Sequence, residues 1–84
     1  SGLEYNLSVT WASIEGIKIS DIIDSIYECS EKISFIRLEK LKKQNCLILQ
    51  VDLLDISNIE SLVNNVSSIN STISIEIYSS EIDF

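Results

Sequence analysis

The sequence contains no histidine, no methionine and no proline, and only two glycines and two cysteines. Without histidine the commonest general base and the usual transition-metal ligand are missing, so Ser-His-Asp and Cys-His catalysis are excluded within this chain. A zinc site would have to join Cys29 and Cys46, far apart in sequence, to carboxylates, an uncommon donor set. The two cysteines form neither a CxxC pair nor a disulfide framework and are expected to be reduced, buried thiols. The missing methionine marks the chain as an expected piece of a longer protein, and Ser1-Gly2 has the form of a cleaved-tag remnant. No run of about 18 apolar residues is present, so no transmembrane helix is expected. Basic residues are scarce as well, 6 against 13 acidic ones, for a net charge of −7. Such a surface repels nucleic-acid phosphates and anionic membranes at long range, so neither is an expected partner.

What is present describes one small domain. The 84 residues are 45% hydrophobic and 23% charged, proportions of a globular rather than a disordered chain. Leu3, Tyr5, Leu7, Val9 and Trp11 alternate with Glu4, Asn6, Ser8 and Thr10, which predicts a half-buried strand. After a loop containing Gly16, helical spacing joins Ile19, Ile22, Ile23, Ile26 and Tyr27, with Ser20 or Asp21 as the expected cap. Residues 33–41 (ISFIRLEKL) favour a strand but place apolar side chains on both parities. Lys42, Lys43, Gln44 and Asn45 make a turn, and residues 46–53 (CLILQVDL) read as a central strand. Ser57-Asn58-Ile59-Glu60 has the form of a capping box ahead of a stripe of Ile59, Leu62, Val63, Val66 and Ile69. Ile73, Ile75 and Ile77 then alternate with Ser74, Glu76 and Tyr78 in a last strand. Residues 79–84 read as a short acidic tail.

The order β-α-β-β-α-β predicts an α+β, ferredoxin-like domain over residues 3–78. It has a four-stranded antiparallel sheet of order 4-1-3-2 with both helices on one face. The opposite face carries Glu4, Asn6, Ser8 and Thr10, with Ile36, Leu38 and Ile48 as candidate additions depending on register.

Three features invite a functional reading. Residues 13–17 (Ser13, Ile14, Glu15, Gly16, Ile17) form the glycine-bearing loop before a helix N-terminus, where free N–H groups suit an anion or a carboxylate. The plainer reading is that Gly16 supplies an unusual backbone angle. Lys32, Arg37, Lys40, Lys42 and Lys43 gather five of the six basic residues around the second strand. They form either a site for an acidic partner or the lysine-rich edge that discourages aggregation. Trp11 either flanks the loop or continues the core alternation, the better reading. Asp21, Asp24, Glu28 and Glu31 read as a solvated acidic face, not a catalytic pair.

The pattern resembles the ACT domain family, small regulatory modules of amino-acid enzymes and stringent-response synthetases. The family reads strand, D-x-x-G-x-L loop, helix, then an Asn-Ile pair opening the second strand. Here Ser13-Ile14-Glu15-Gly16 stands where D-x-x-G would be, and Ile19, Ile22 and Ile26 match the buried helix positions after a one-residue insertion. Ile33 matches the isoleucine of the pair, with Lys32 in place of asparagine. The resemblance implies a non-catalytic regulatory or oligomerisation domain that holds a small ligand such as an amino acid through Ser13, Ile14, Glu15, Gly16, Ile17 and Lys32. A soluble domain of this kind also closes the MgtC-type membrane proteins, which gives the alternative of a cytoplasmic interaction domain without a small-molecule ligand. The expected partners are a second copy, other domains of the parent and a small-molecule effector. No cofactor or metal is expected, and a membrane enters only through the parent. An acylphosphatase-like enzyme would need an arginine after the first strand, whereas the only arginine is Arg37.

Overall fold

Alternating apolar and polar side chains make strands when one face is buried, and this chain does so over Glu4–Ala12. The computed structural model describes residues 4–79. Its elements are β1 (Glu4–Ala12), α1 (Ile19–Tyr27), β2 (Ser30–Lys40), β3 (Gln44–Leu53), α2 (Asn58–Ser67) and β4 (Ser74–Ser79). They form one antiparallel sheet in the order β2-β3-β1-β4, the ferredoxin-like arrangement predicted from the sequence. Ser1-Gly2, Leu3 and residues 80–84 lie outside the described residues, while Ser79 belongs to β4 rather than to a tail.

The register explains the core. Leu7 faces Leu49 and Ile77, and Val9 faces Leu47 and Ile75, so the odd positions of β1, β3 and β4 share one face. Ile22 and Ile26 of α1 and Leu62 and Val66 of α2 bury themselves against that face in one cluster. Each fully buried aliphatic side chain contributes about 1.5–3 kcal/mol. Trp11 belongs to this core, as its place in the alternation predicts. The other face presents Glu4, Asn6, Ser8 and Thr10 beside Cys46, Ile48 and Gln50. Polar contacts cross it: Gln50 Nε2 donates to Glu4 Oε1 at 3.2 Å, and Ser8 Oγ lies 3.4 Å from Cys46 Sγ.

Several local expectations fail, each for a definable reason. Lys18, not Ser20 or Asp21, occupies the N-cap of α1, and no side chain caps it. Asp21 instead sits in the first turn, where a negative charge suits the helix dipole. Tyr27 is the last residue of α1 and points to solvent, because the apolar stripe runs out with the helix. The buried Ser30 hydroxyl donates to the Ile26 carbonyl at 2.8 Å and closes that end. Ser57 is at the N-cap of α2 but forms no capping box. It has helical backbone angles, and its N–H and hydroxyl both donate to Asp55 Oδ1, at 2.9 and 2.8 Å. An aspartate two residues upstream therefore outcompetes the helix for the serine. These bonds hold the Asp55 carboxyl below its ordinary range, the backbone N–H more than the hydroxyl.

The strand with apolar residues on both parities is β2, and its register shows why. Phe35 faces Leu49 and Arg37 faces Ile48, so Ile36 is an extra residue, a β-bulge. The inward parity is odd before the bulge (Ile33, Phe35) and even after it (Leu38). Leu38 is consequently on the helix-bearing face, not the open one, and of the three candidates Ile48 joins the open face in regular register. A second irregularity at Glu31 separates Ser30, opposite Leu53, from Lys32, opposite Asp52.

Candidate functional site

The loop after β1 begins with a single 3-10 turn over Ser13–Glu15 and is closed by Gly16 at φ +63°. An added Cβ at Gly16 would meet nothing within 4 Å, so the glycine is needed for its left-handed backbone, not for room. Ser13 is tied to the β2–β3 turn: its N–H donates to the Lys43 carbonyl at 3.0 Å and its hydroxyl to the Lys42 carbonyl at 3.3 Å. On the other side of the strand end, the Ala12 N–H donates to Thr72 Oγ1 at 3.2 Å, and Thr72 is itself held by Asn70 Oδ1. Ile17 is half-buried and packs on the core. Ile14, in contrast, is 91% exposed, with Glu15 and Gly16 beside it in solvent. Among the described residues no cavity opens at this loop.

Lys32, the sixth candidate ligand residue, is elsewhere. It pairs with Asp52, whereas the loop starts beside Ala12, which pairs with Gln44. Eight steps of β3 separate Gln44 from Asp52, roughly 26 Å along an extended strand. Ser13, Ile14, Glu15, Gly16 and Ile17 therefore cluster at one end of the sheet and Lys32 lies at the other. A single chain does not bring them together.

Two other features take their form only from the structure. Trp11 and Asn45 face each other across β1 and β3, and both are buried, 2% and 8% exposed. Neither Trp11 Nε1 nor Asn45 Oδ1 finds a hydrogen-bond partner among the described residues. The second feature is the outer edge of β2. It is eleven residues long, and near its middle Phe35 and Ile36 are 63% and 51% exposed. Large apolar side chains at the centre of a long edge strand present both greasy surface and open main-chain groups. Lys32, Arg37 and Lys40 surround them, all exposed, and Arg37 pairs with Glu39 at 3.3 Å. The signal was the two-parity run itself: a strand that puts apolar residues on both faces is either covered twice or bulged.

The acidic row on α1 is solvated as expected, with Asp21, Asp24 and Glu28 exposed and Glu28 accepting from Asn65 Nδ2 at 3.1 Å. Glu31 is exposed too, in β2 rather than the helix. Both cysteines are free. Cys29 is buried, and burial, followed by the nearby Glu28 charge, pushes its thiol up from the ordinary value, keeping it protonated. Cys46 is only half-buried, because its parity puts it on the open face. Among the described residues no group of three His, Cys, Asp or Glu is placed to hold a metal ion, and no helix is long and apolar enough to cross a membrane. No protein-family model matches the chain, and no curated protein matches its sequence.

Proposed function

We propose that this chain is a non-catalytic, ACT-like assembly domain that brings its parent protein together through the outer edge of β2. The observation that carries the reading is the exposure of Phe35 and Ile36 at the middle of that eleven-residue edge strand. Edge strands recognise partners through main-chain hydrogen bonds, with side chains supplying specificity. In this reading the domain works in the cytoplasm, and the same edge serves whether the parent is a soluble enzyme or an MgtC-type membrane protein.

Sedimentation velocity from micromolar to millimolar concentration tests the proposal, with concentration-dependent association as the expected result. Strict monomer behaviour across that range would remove it.

A second reading keeps the loop over residues 13–17 as the docking point for a small effector such as an amino acid. Its support is the uncapped start of α1 at Lys18 and the solvent exposure of residues 14–16. Titration with amino acids and nucleotides, followed by NMR, tests it. Shifts at Gly16 are expected if a ligand binds there, and an unmoved Gly16 resonance with all of them sinks the reading.

A further inference from the structure

We infer that the two ends of the sheet dock on one another between copies, head to tail, in a contact separate from the β2 edge. The strands run between two poles of opposite charge. At one pole the loop after β1 meets the β2–β3 turn, where Ser13 donates to the Lys42 and Lys43 carbonyls and holds the two segments together. Ile14 and Leu41 are exposed there, each by more than half. Lys18, Lys40, Lys42 and Lys43 flank them, four of the six basic residues and all in solvent. The carboxylates near this end are Glu15 and Asp21, while Glu39 is paired with Arg37.

The opposite pole gathers the end of α1, the start of β2 and the β3–α2 loop, with Ser30 beside Leu53. Tyr27, Leu54 and Ile56 are each more than half exposed. Glu28, Glu31, Asp52, Asp55 and Glu60 stand at this end against Lys32 alone. Each pole therefore joins exposed apolar side chains to charge of one sign, and the two signs are opposite.

Within one copy this separation does nothing for the fold. Nine steps of β3 lead from Gln44 to Leu53, roughly 30 Å of extended strand. Screening ends within about 8 Å at physiological salt, so the poles do not attract each other across the molecule. None of the four lysines has an ion-pair partner among the described residues. A second copy brings the poles into contact, where the apolar side chains cover one another and lysines face carboxylates. An anionic lipid surface is the poorer occupant, because the whole chain carries −7 and most of it would be repelled. Exposed ion pairs add little affinity, so apolar burial drives the contact while charge rejects head-to-head and tail-to-tail meetings. The poles face opposite ways, so one copy cannot engage a single neighbour through both. The contact is heterologous and continues as a row, linking one edge-joined assembly to the next.

The test uses two variants that each lose one pole, made in a Phe35→Lys background that removes the apolar centre of the β2 edge. Ile14→Glu with Leu41→Glu disables the lysine pole, and Leu54→Lys with Ile56→Lys disables the acidic one. All four positions are exposed, so the fold should survive, and circular dichroism checks it. In sedimentation velocity the Phe35→Lys protein should form species that grow past a dimer with concentration. Each pole variant alone should associate about thirtyfold more weakly. Mixed in equal amounts, the two should form a complex that stops at one of each, since each keeps the pole the other lacks. Lys42→Glu with Lys43→Glu, and Glu31→Lys with Glu60→Lys, give a second pair that keeps the apolar side chains. A mixture that stays monomeric, or pole variants that associate as well as their parent, overturns the contact. Phosphatidylserine vesicles that bind the Phe35→Lys protein but not its Ile14→Glu/Leu41→Glu form, with no mixed complex, assign the lysine pole to lipid and overturn it as well. A Phe35→Lys protein that is monomeric at millimolar concentration overturns this contact and leaves the edge reading standing.

Discussion

The loop after β1 and the outer edge of β2 are built in opposite ways. The loop carries the motif, a glycine ahead of a helix, yet Ser13, which opens it, is already engaged. Ser13 is bonded through both its N–H and its hydroxyl to the β2–β3 turn, and Gly16 serves the backbone alone. The edge carries no motif, yet it leaves apolar side chains in water and, among the described residues, a length of strand without an outer neighbour. A segment whose groups are satisfied internally is a strut, while one whose groups are left open is a surface for something else. By that criterion the edge outranks the loop.

Substitutions can break the contrast, beginning at the edge. Phe35→Lys should reduce self-association by about thirtyfold or more, the loss expected when an aromatic anchor is removed from the centre of an interface. The same change should leave the melting temperature of dilute protein nearly unmoved, because the side chain is 63% exposed within one chain. Undiminished association in sedimentation would return the loop to first place. Gly16→Ala should do the reverse. Holding a Cβ-bearing residue in the left-handed conformation costs about 1–2 kcal/mol, visible in urea denaturation with association unchanged. Gly16→Asn should cost less, since asparagine tolerates that conformation. A cost near zero for alanine would mean that the loop relaxes to another backbone path. The smallest effect is expected for Ser13→Ala, which deletes an exposed hydroxyl contact but keeps the N–H bond to Lys43. About 0.5 kcal/mol or less should be lost, and a larger loss would make the hydroxyl the main tie between loop and turn.

Much of the architecture could be read from periodicity because periodicity and burial have the same cause. Leu7, Val9 and Trp11 alternate since one face of β1 is covered, and Ile22 and Ile26 recur since one face of α1 is covered. The order of elements then left few topologies for a short chain, and the observed sheet is the expected one. Capping departs from the spacing at both helices for a different reason. A cap is a competition between nearby acceptors, and at Ser57 the winner is Asp55, two residues upstream. Residue types at the right spacing do not reveal which acceptor wins. The candidate ligand set was half legible. Ser13 to Ile17 are neighbours by chain continuity, but Lys32 was grouped with them only through the family resemblance, and α1 carries the chain to the far end of the sheet before β2 begins.

The outer edge of β2 shows best where local information stops. The run ISFIRLEKL announced an irregular strand, because no regular strand can hide apolar residues of both parities on one face. Whether that meant double coverage or a bulge depended on the partner strand, whose ladder of hydrogen bonds fixes where the extra residue goes. Only the paired structure places it at Ile36, turning Leu38 inward and leaving Phe35 and Ile36 in solvent.

By itself the sequence determined the class of fold, the four strands and two helices, and the core face of every regular element, since these follow from local periodicity. It also excluded histidine-dependent chemistry, because a missing side chain needs no structure to be missed. The tertiary structure decided where the register of β2 slips, which of its side chains are left in solvent, and that Lys32 and the glycine loop stand at opposite ends of the sheet. Those are relations between distant segments, set by pairing and packing rather than by any one stretch of residues.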